Sequence, residues 1–229
     1  MVEAQATADS GMPAVMSVSA RRIGLIADDH NGREDASDLP DSVFAALSDV
    51  DLILHLGHMG VKEVSGRGAV DRLAQLAPVL GVRDYLRGSD GEQHLTPADG
   101  HRIAGLTRVV DIDGVRIGLV HNLEIAPGPA ILSPTGGITY PEGRDLDWVL
   151  TEKFGGPVDV VAFGGSHRAV TMNVGGRLFV NPGSPTYPKG PGRSSGRGSG
   201  TVGVLELANG TVSFELLELS LFGTEPPLS

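Results

Sequence analysis

Four short apolar runs, IGLIA (23–27), DLILHLG (51–57), RIGLV (116–120) and VDVVAFGG (158–165), give way to aspartate or histidine, the last of them after Ser166. Runs this short, rich in Ile, Leu and Val and bounded by glycine, read as buried strands rather than helices. Between the first two, DLPDSVFAALSDV (38–50) has helical spacing; after them come GAVDRLAQLA (68–77), again helical, and APVLGVRD (77–84), a short third strand. The chain therefore opens as β-α-β-α-β with parallel strands, which demands helices packed on a sheet. Further on, Asp113-Gly114 and Asn209-Gly210 sit between apolar runs as hairpin turns, and GGRLFVNPGS (175–184) follows a Gly-Gly turn as another strand. The pattern predicts an α/β fold, a layered sandwich with mixed sheets inside and helices outside.

With 229 residues, 40% of them hydrophobic, the chain suits one full α/β core. The expected organisation is a tail over 1–20, a single domain over 21–222 and a second tail over 223–229. Net charge is -10 and the pI about 5.1, so no positive field draws the molecule to nucleic acid or an anionic membrane. A small-molecule substrate is the expected partner, with homo-oligomerisation open. The chain has no cysteine, so a metal must sit on His, Asp, Glu or Asn. No stretch reads as a signal peptide or a transmembrane span, which makes a cytoplasmic protein the expectation. The segments 122–144 and 185–200 read as long loops, lids or solvated chain; in the latter, Lys189, Arg193 and Arg197 lie in a Gly/Ser background.

Five candidate ligands fall at strand ends: Asp28 and His30, His58, His121 and His167. Strand ends on one side of a parallel or mixed sheet form the crevice where ligands bind, so these residues can converge. Imidazoles with a carboxylate suit Zn, Mn, Fe or Ni better than Ca or Mg. By contrast, His55 alternates to the other face of its strand, while His94 and His101 have a surface-loop context; each reads as an ordinary histidine. The acids of REDASDLPD (33–41) read as a helix N-terminal cluster.

Together these motifs resemble the calcineurin-like metallophosphoesterases. ADDHNG (27–32) resembles their Asp-x-His opening, LHLGHMG (54–60) stands at their Gly-Asp, LGVRD (80–84) at Gly-Asn-His/Cys-Asp, LVHN (119–122) at a histidine and FGGSH (163–167) at Gly-His-Thr-His. VNPGSPTYP (180–188) resembles the Asn-Pro-Gly-Ser segment of the small branch that includes the YfcE-like phosphodiesterases and the Vps29 subunit of retromer. The resemblance runs in order from about residue 22 to 219 and implies a four-layer α/β/β/α sandwich with two mixed β-sheets. It also implies two metals that share the Asp of Gly-Asp and activate a water that attacks phosphorus.

The departures fall on the second metal. His58 replaces the shared Asp, Val82 the Asn, Gly165 the first His of Gly-His-Thr-His, and Arg83 the catalytic His or Cys. The expectation is one divalent transition metal (Mn, Fe, Zn or Ni) on Asp28, His30, His58 and His167, with His121 as a fifth ligand or base. The second site is expected to keep His121 alone. The catalytic set implied is His121 for the proton, Arg83 for an anionic group, and Asp84. Three functions follow: a single-metal hydrolase of phosphoester or related ester bonds, a metal enzyme of another class (lyase, isomerase or oxygen chemistry), and a non-catalytic scaffold like Vps29.

Overall fold

The computed structural model describes residues 15–61, 64–87, 93–133, 137–190, 198–208 and 210–222. The chain runs through β1 (Val15–Val18), β2 (Arg22–Ile26), α1 (Asp41–Ala46), β3 (Leu52–His55), α2 (Arg67–Leu73) and β4 (Val79–Gly81). A hairpin of β5 (Tyr85–Arg87) and β6 (Gln93–Leu95) precedes β7 (Thr107–Ile112) and β8 (Val115–Val120). Next come β9 (Ile131–Ser133), β10 (Gly137–Thr139) and α3 (Leu146–Phe154). Finally β11 (Val160–Phe163), β12 (Ala169–Val174), β13 (Arg177–Pro182), β14 (Thr201–Ala208) and β15 (Thr211–Glu218) end in a short 3-10 turn.

Two mixed sheets result. One has the order β15-β14-β2-β3-β4, with β2, β3 and β4 parallel; the other has the order β1-β7-β8-β11-β13-β12, with β8, β11 and β13 parallel. Leu25, Leu54 and Leu205 of the first sheet pack against Val110, Leu119 and Val160 of the second, forming the central core. Because strand side chains alternate between faces, Ile26, Ile53, Val79 and Val204 point the other way, onto Val43, Leu47, Val70 and Leu73 of the α1 and α2 region. On the far side Val109, Val161 and Phe179 meet Leu150 and Phe154 of α3. The four-layer α/β/β/α sandwich expected from the sequence is the one observed, and no helix among the described residues is long and apolar enough to cross a membrane.

Three differences have simple causes. Residues 15–18, expected in the tail, form β1, which pairs in parallel with β7 and covers that sheet's edge while Met16 is buried in the core. The 122–144 segment is not irregular throughout, since β9 and β10 form an antiparallel pair within it. Helix α3 was not evident from periodicity; it is started by the Asp145 side chain, which accepts from the Trp148 N–H at 2.9 Å, and stopped by Gly155 at φ 74°. The 1–14 and 223–229 tails lie outside the described residues.

Candidate metal centre

Parallel pairing brings the candidate residues to one place. Beyond the last register pair of β2 and β3, the two loops continue side by side: Leu56 N–H donates to Ile26 O, Asp28 N–H to Gly57 O, and His30 N–H to His58 O, at 2.8–3.2 Å. His58 is thereby held beside Asp28 and His30. From the second sheet, Gly164 N–H donates to His121 O, and Gly165 N–H reaches across to Asp28 Oδ2 at 2.8 Å. This bond joins the ends of both sheets at the Asp28 carboxylate.

Asp28, His30, His58 and His167 all adopt left-handed backbone, with φ between 48° and 59°. That region costs a non-glycine residue about 1–3 kcal/mol. Such strain at four residues in three separate loops is sustained by the surrounding contacts, and the four side chains lie beside one another, His167 against His30 and Asp28. His30 Nε2 lies 3.0 Å from His167 Nε2, the His30 and His58 ring centroids are 4.2 Å apart, and Asp28 Oδ1 is 3.5 Å from His167 Nε2. Asp28 is fully buried, and its Oδ1 has no hydrogen-bond partner.

Tautomers follow from the partners. His121 Nδ1 donates to Leu56 O at 2.7 Å, and His167 Nδ1 donates to Tyr187 O at 2.9 Å. Each therefore presents its Nε2 lone pair to the centre, the arrangement that carbonyl-anchored metal-binding histidines use. Burial and the neighbouring His58, His167 and His121 push the His30 pKa down to about 3, so this ring is neutral. For His58, burial lowers the pKa, but the hydrogen bond and charge of Asp84 outweigh it and the net shift is upward. Asp84 is 2% exposed and lies 3.2 Å from His58 Nδ1 and 3.7 Å from His121 Nε2. Burial raises its pKa, yet His58 and His121 reverse this and hold it below the ordinary range.

Two trios among the described residues place one ligand atom from each member within 4.8 Å of the others: Asp28, His30 and His58, and His58, Asp84 and His121. The structure thus corrects one expectation, because His121 does not stand alone: Asp84 follows the end of β4 and joins it. Spacing gave Asp84 no ligand signal beyond its place in LGVRD. Arg83 is half-buried, donates through Nε to Thr96 O at 2.6 Å, and lines the same cavity as His58, Asp84 and His121.

The remaining histidine readings also resolve. His55 is fully buried, accepts at Nδ1 from Gly57 N–H and faces Asp29 Oδ2 at 3.4 Å, so it is a partnered core histidine. His101 is exposed, and the His94 side chain lies outside the described residues. The NPGS segment forms a buttress. Asn181 Nδ2 donates to Gly164 O and Ser166 Oγ, Ser184 Oγ donates to Asp28 O at 2.7 Å, and Thr186 Oγ1 donates to Asp29 O.

Fold and centre together define a protein of the metal-dependent phosphoesterase class. The chain belongs to the calcineurin-like phosphoesterase superfamily, whose domain model matches residues 22–210. It is 32% identical over 175 residues to the probable metallophosphoesterase of Methanocaldococcus jannaschii, covering 75% of this chain and 72% of that relative. Its fold is similar to that of Vps29 from Entamoeba histolytica, solved in complex with zinc (20% identity, TM-score 0.48, 86% of this chain and 99% of that one). It is similar also to YfcE, a phosphoesterase from E. coli (16% identity, TM-score 0.48, 88% and 95%).

Proposed function

We propose that the protein is a metal-dependent hydrolase of phosphoester or related ester bonds on a small substrate, acting in the cytoplasm with one ion held by Asp28, His30, His58 and His167. The observation that carries this is the buried, unpartnered Asp28 Oδ1 facing the imidazole nitrogens of strained loops. A buried acceptor left bare costs about 1–3 kcal/mol, and the one N–H···N hydrogen bond that His30 and His167 can share at 3.0 Å leaves that acceptor unfilled. A divalent cation meets that need, and the nitrogen-rich donor set selects Mn, Fe, Zn or Ni.

When bound, such an ion supplies Lewis acidity and a water of lowered pKa. The chain's own groups do the rest. His121 is fixed through Nδ1 on Leu56 O, so its Nε2 can accept a proton from the attacking water; Asp84, 3.7 Å away, stabilises the imidazolium that results. Arg83 has its Nε anchored on Thr96 O and lines the cavity, where its guanidinium steadies the phosphoryl oxygens.

A second reading, with two ions, is favoured by the His58, Asp84 and His121 trio, which shares His58 with the first. An imidazole bridges two ions only through both ring nitrogens, after losing its proton. The hydrolase reading is tested on p-nitrophenyl phosphate and its bis ester with protein loaded with each metal in turn. Turnover that is abolished by chelation and reduced about a hundredfold in His121→Ala supports it; metal uptake without hydrolysis of either ester points to another reaction class.

A further inference from the structure

The cavity that contains His58, Asp84 and His121 extends to a group the hydrolytic scheme leaves unused. Its volume is about 240 Å³, and Lys153 lines it together with Leu106, Val120, Ile125 and Ala126. Lys153 lies in the last turn of α3 and is 1% exposed. Its Nζ donates to Ile125 O and Pro127 O, both at 2.8 Å. An ammonium has three donors, and among the described residues no carboxylate pairs with this one.

Two carbonyls and the helix C-terminus favour a cation but do not neutralise it, and burying an uncompensated charge costs several kcal/mol. Burial lowers the Lys153 pKa to about 8, so the group is still charged at neutral pH. A cation held between apolar walls attracts an oxyanion far more strongly than one in water. Arg83 is a second cation on the same cavity. At about 240 Å³ the space falls below the roughly 300–1,000 Å³ of common ligand pockets, which restricts the occupant to a compact molecule.

Resting on the hydrolase reading, we propose that Lys153 recognises a second acidic group on the substrate. The substrate is then a compact phosphoester with a short apolar spacer and a further carboxylate or phosphate. Lys153 acts as a specificity-determining residue.

Equilibrium binding of three non-hydrolysable probes tests this: propylphosphonate, 3-phosphonopropionate and propane-1,3-diphosphonate, measured by calorimetry on metal-saturated protein at neutral pH. The expected result is that at least one diacid binds about tenfold or more tighter than propylphosphonate, as a charge-assisted hydrogen bond gives. Which diacid wins distinguishes a carboxylate from a second phosphate. In Lys153→Met, whose side chain fills a similar volume without charge, the preference collapses toward unity; Lys153→Gln serves if the first variant fails to fold. Equal binding of all three probes by the wild type overturns the inference and leaves the hydrolase reading intact. A preference that survives both substitutions overturns the role of Lys153. If the protein takes up no metal, the hydrolase reading fails, while the same Kd ratios measured on metal-free protein still decide the inference.

Discussion

Removing the metal exposes His30 as an acid-sensitive point in the fold. In the unfolded chain its ring titrates near 6.5, whereas in the folded protein burial and three neighbouring imidazoles depress it to about 3. The folded state therefore binds fewer protons than the unfolded state across that window, so stability rises with pH there and is lost as pH falls from about 6.5 toward about 3. Above the unfolded value the ring is neutral in both states and contributes no slope. At about pH 4.5 the linkage relation gives at most about 2.7 kcal/mol, and screening at the partly exposed ring brings the expected loss to between about 1 and 2.5 kcal/mol. For a chain of this size each kcal/mol moves Tm by about 2–4 °C. The assay is thermal and urea unfolding of chelator-treated protein from about pH 7.5 to 4.5, comparing wild type with His30→Asn. The wild type should lose roughly 1–2.5 kcal/mol more than the variant over that range. Parallel pH profiles for the two proteins would rule out His30 as the acid-sensitive group, because Asn carries no titration.

Three further outcomes follow. In Gly57→Ala, the new Cβ would lie 2.8–2.9 Å from the His121 ring at a residue with φ +94°; the expected cost is about 1–3 kcal/mol by urea unfolding, with hydrolysis falling more than stability as His121 is displaced. Ser184→Ala removes the donor to Asp28 O and the acceptor of Tyr187 N–H, and should cost about 1–3 kcal/mol in the same measurement. Asp84→Asn removes the charge that raises the His58 pKa, so proton competition weakens and metal uptake should extend to lower pH, as followed by metal-binding titration. Under the two-ion reading, the same substitution instead removes one equivalent of metal.

Much of the fold could be read from short apolar runs because each buried strand ends on a residue type that strands exclude. The Asp113-Gly114 turn is likewise explicit, since both residues need positive φ, and they adopt 51° and 89°. Helix α3 was not legible: Lys153 sits on its buried face, so the apolar stripe that marks an amphipathic helix is broken by a charge. β1 was missed because four residues of edge strand gain their stability from β7 and not from local pattern. At the site, strand ends singled out Asp28, His30, His58, His121 and His167, and the structure brings these five together. Asp84 in a ligand-like position, and Lys153 on the same cavity, depend on contacts between segments distant in sequence. Lys153 carries no local signature, and Asp84 has only its place in LGVRD, which implies a catalytic role and not a ligand's.

The proposed function turns on one ion held by Asp28, His30, His58 and His167. It is tested most directly by metal content per chain, measured by elemental analysis and native mass spectrometry after saturation with Mn, Fe, Zn or Ni and removal of excess. One equivalent is expected in the wild type, with loss of nearly all of it in both Asp28→Ala and His58→Ala. A wild type that retains no metal, that retains two equivalents, or whose single equivalent survives both substitutions would contradict it.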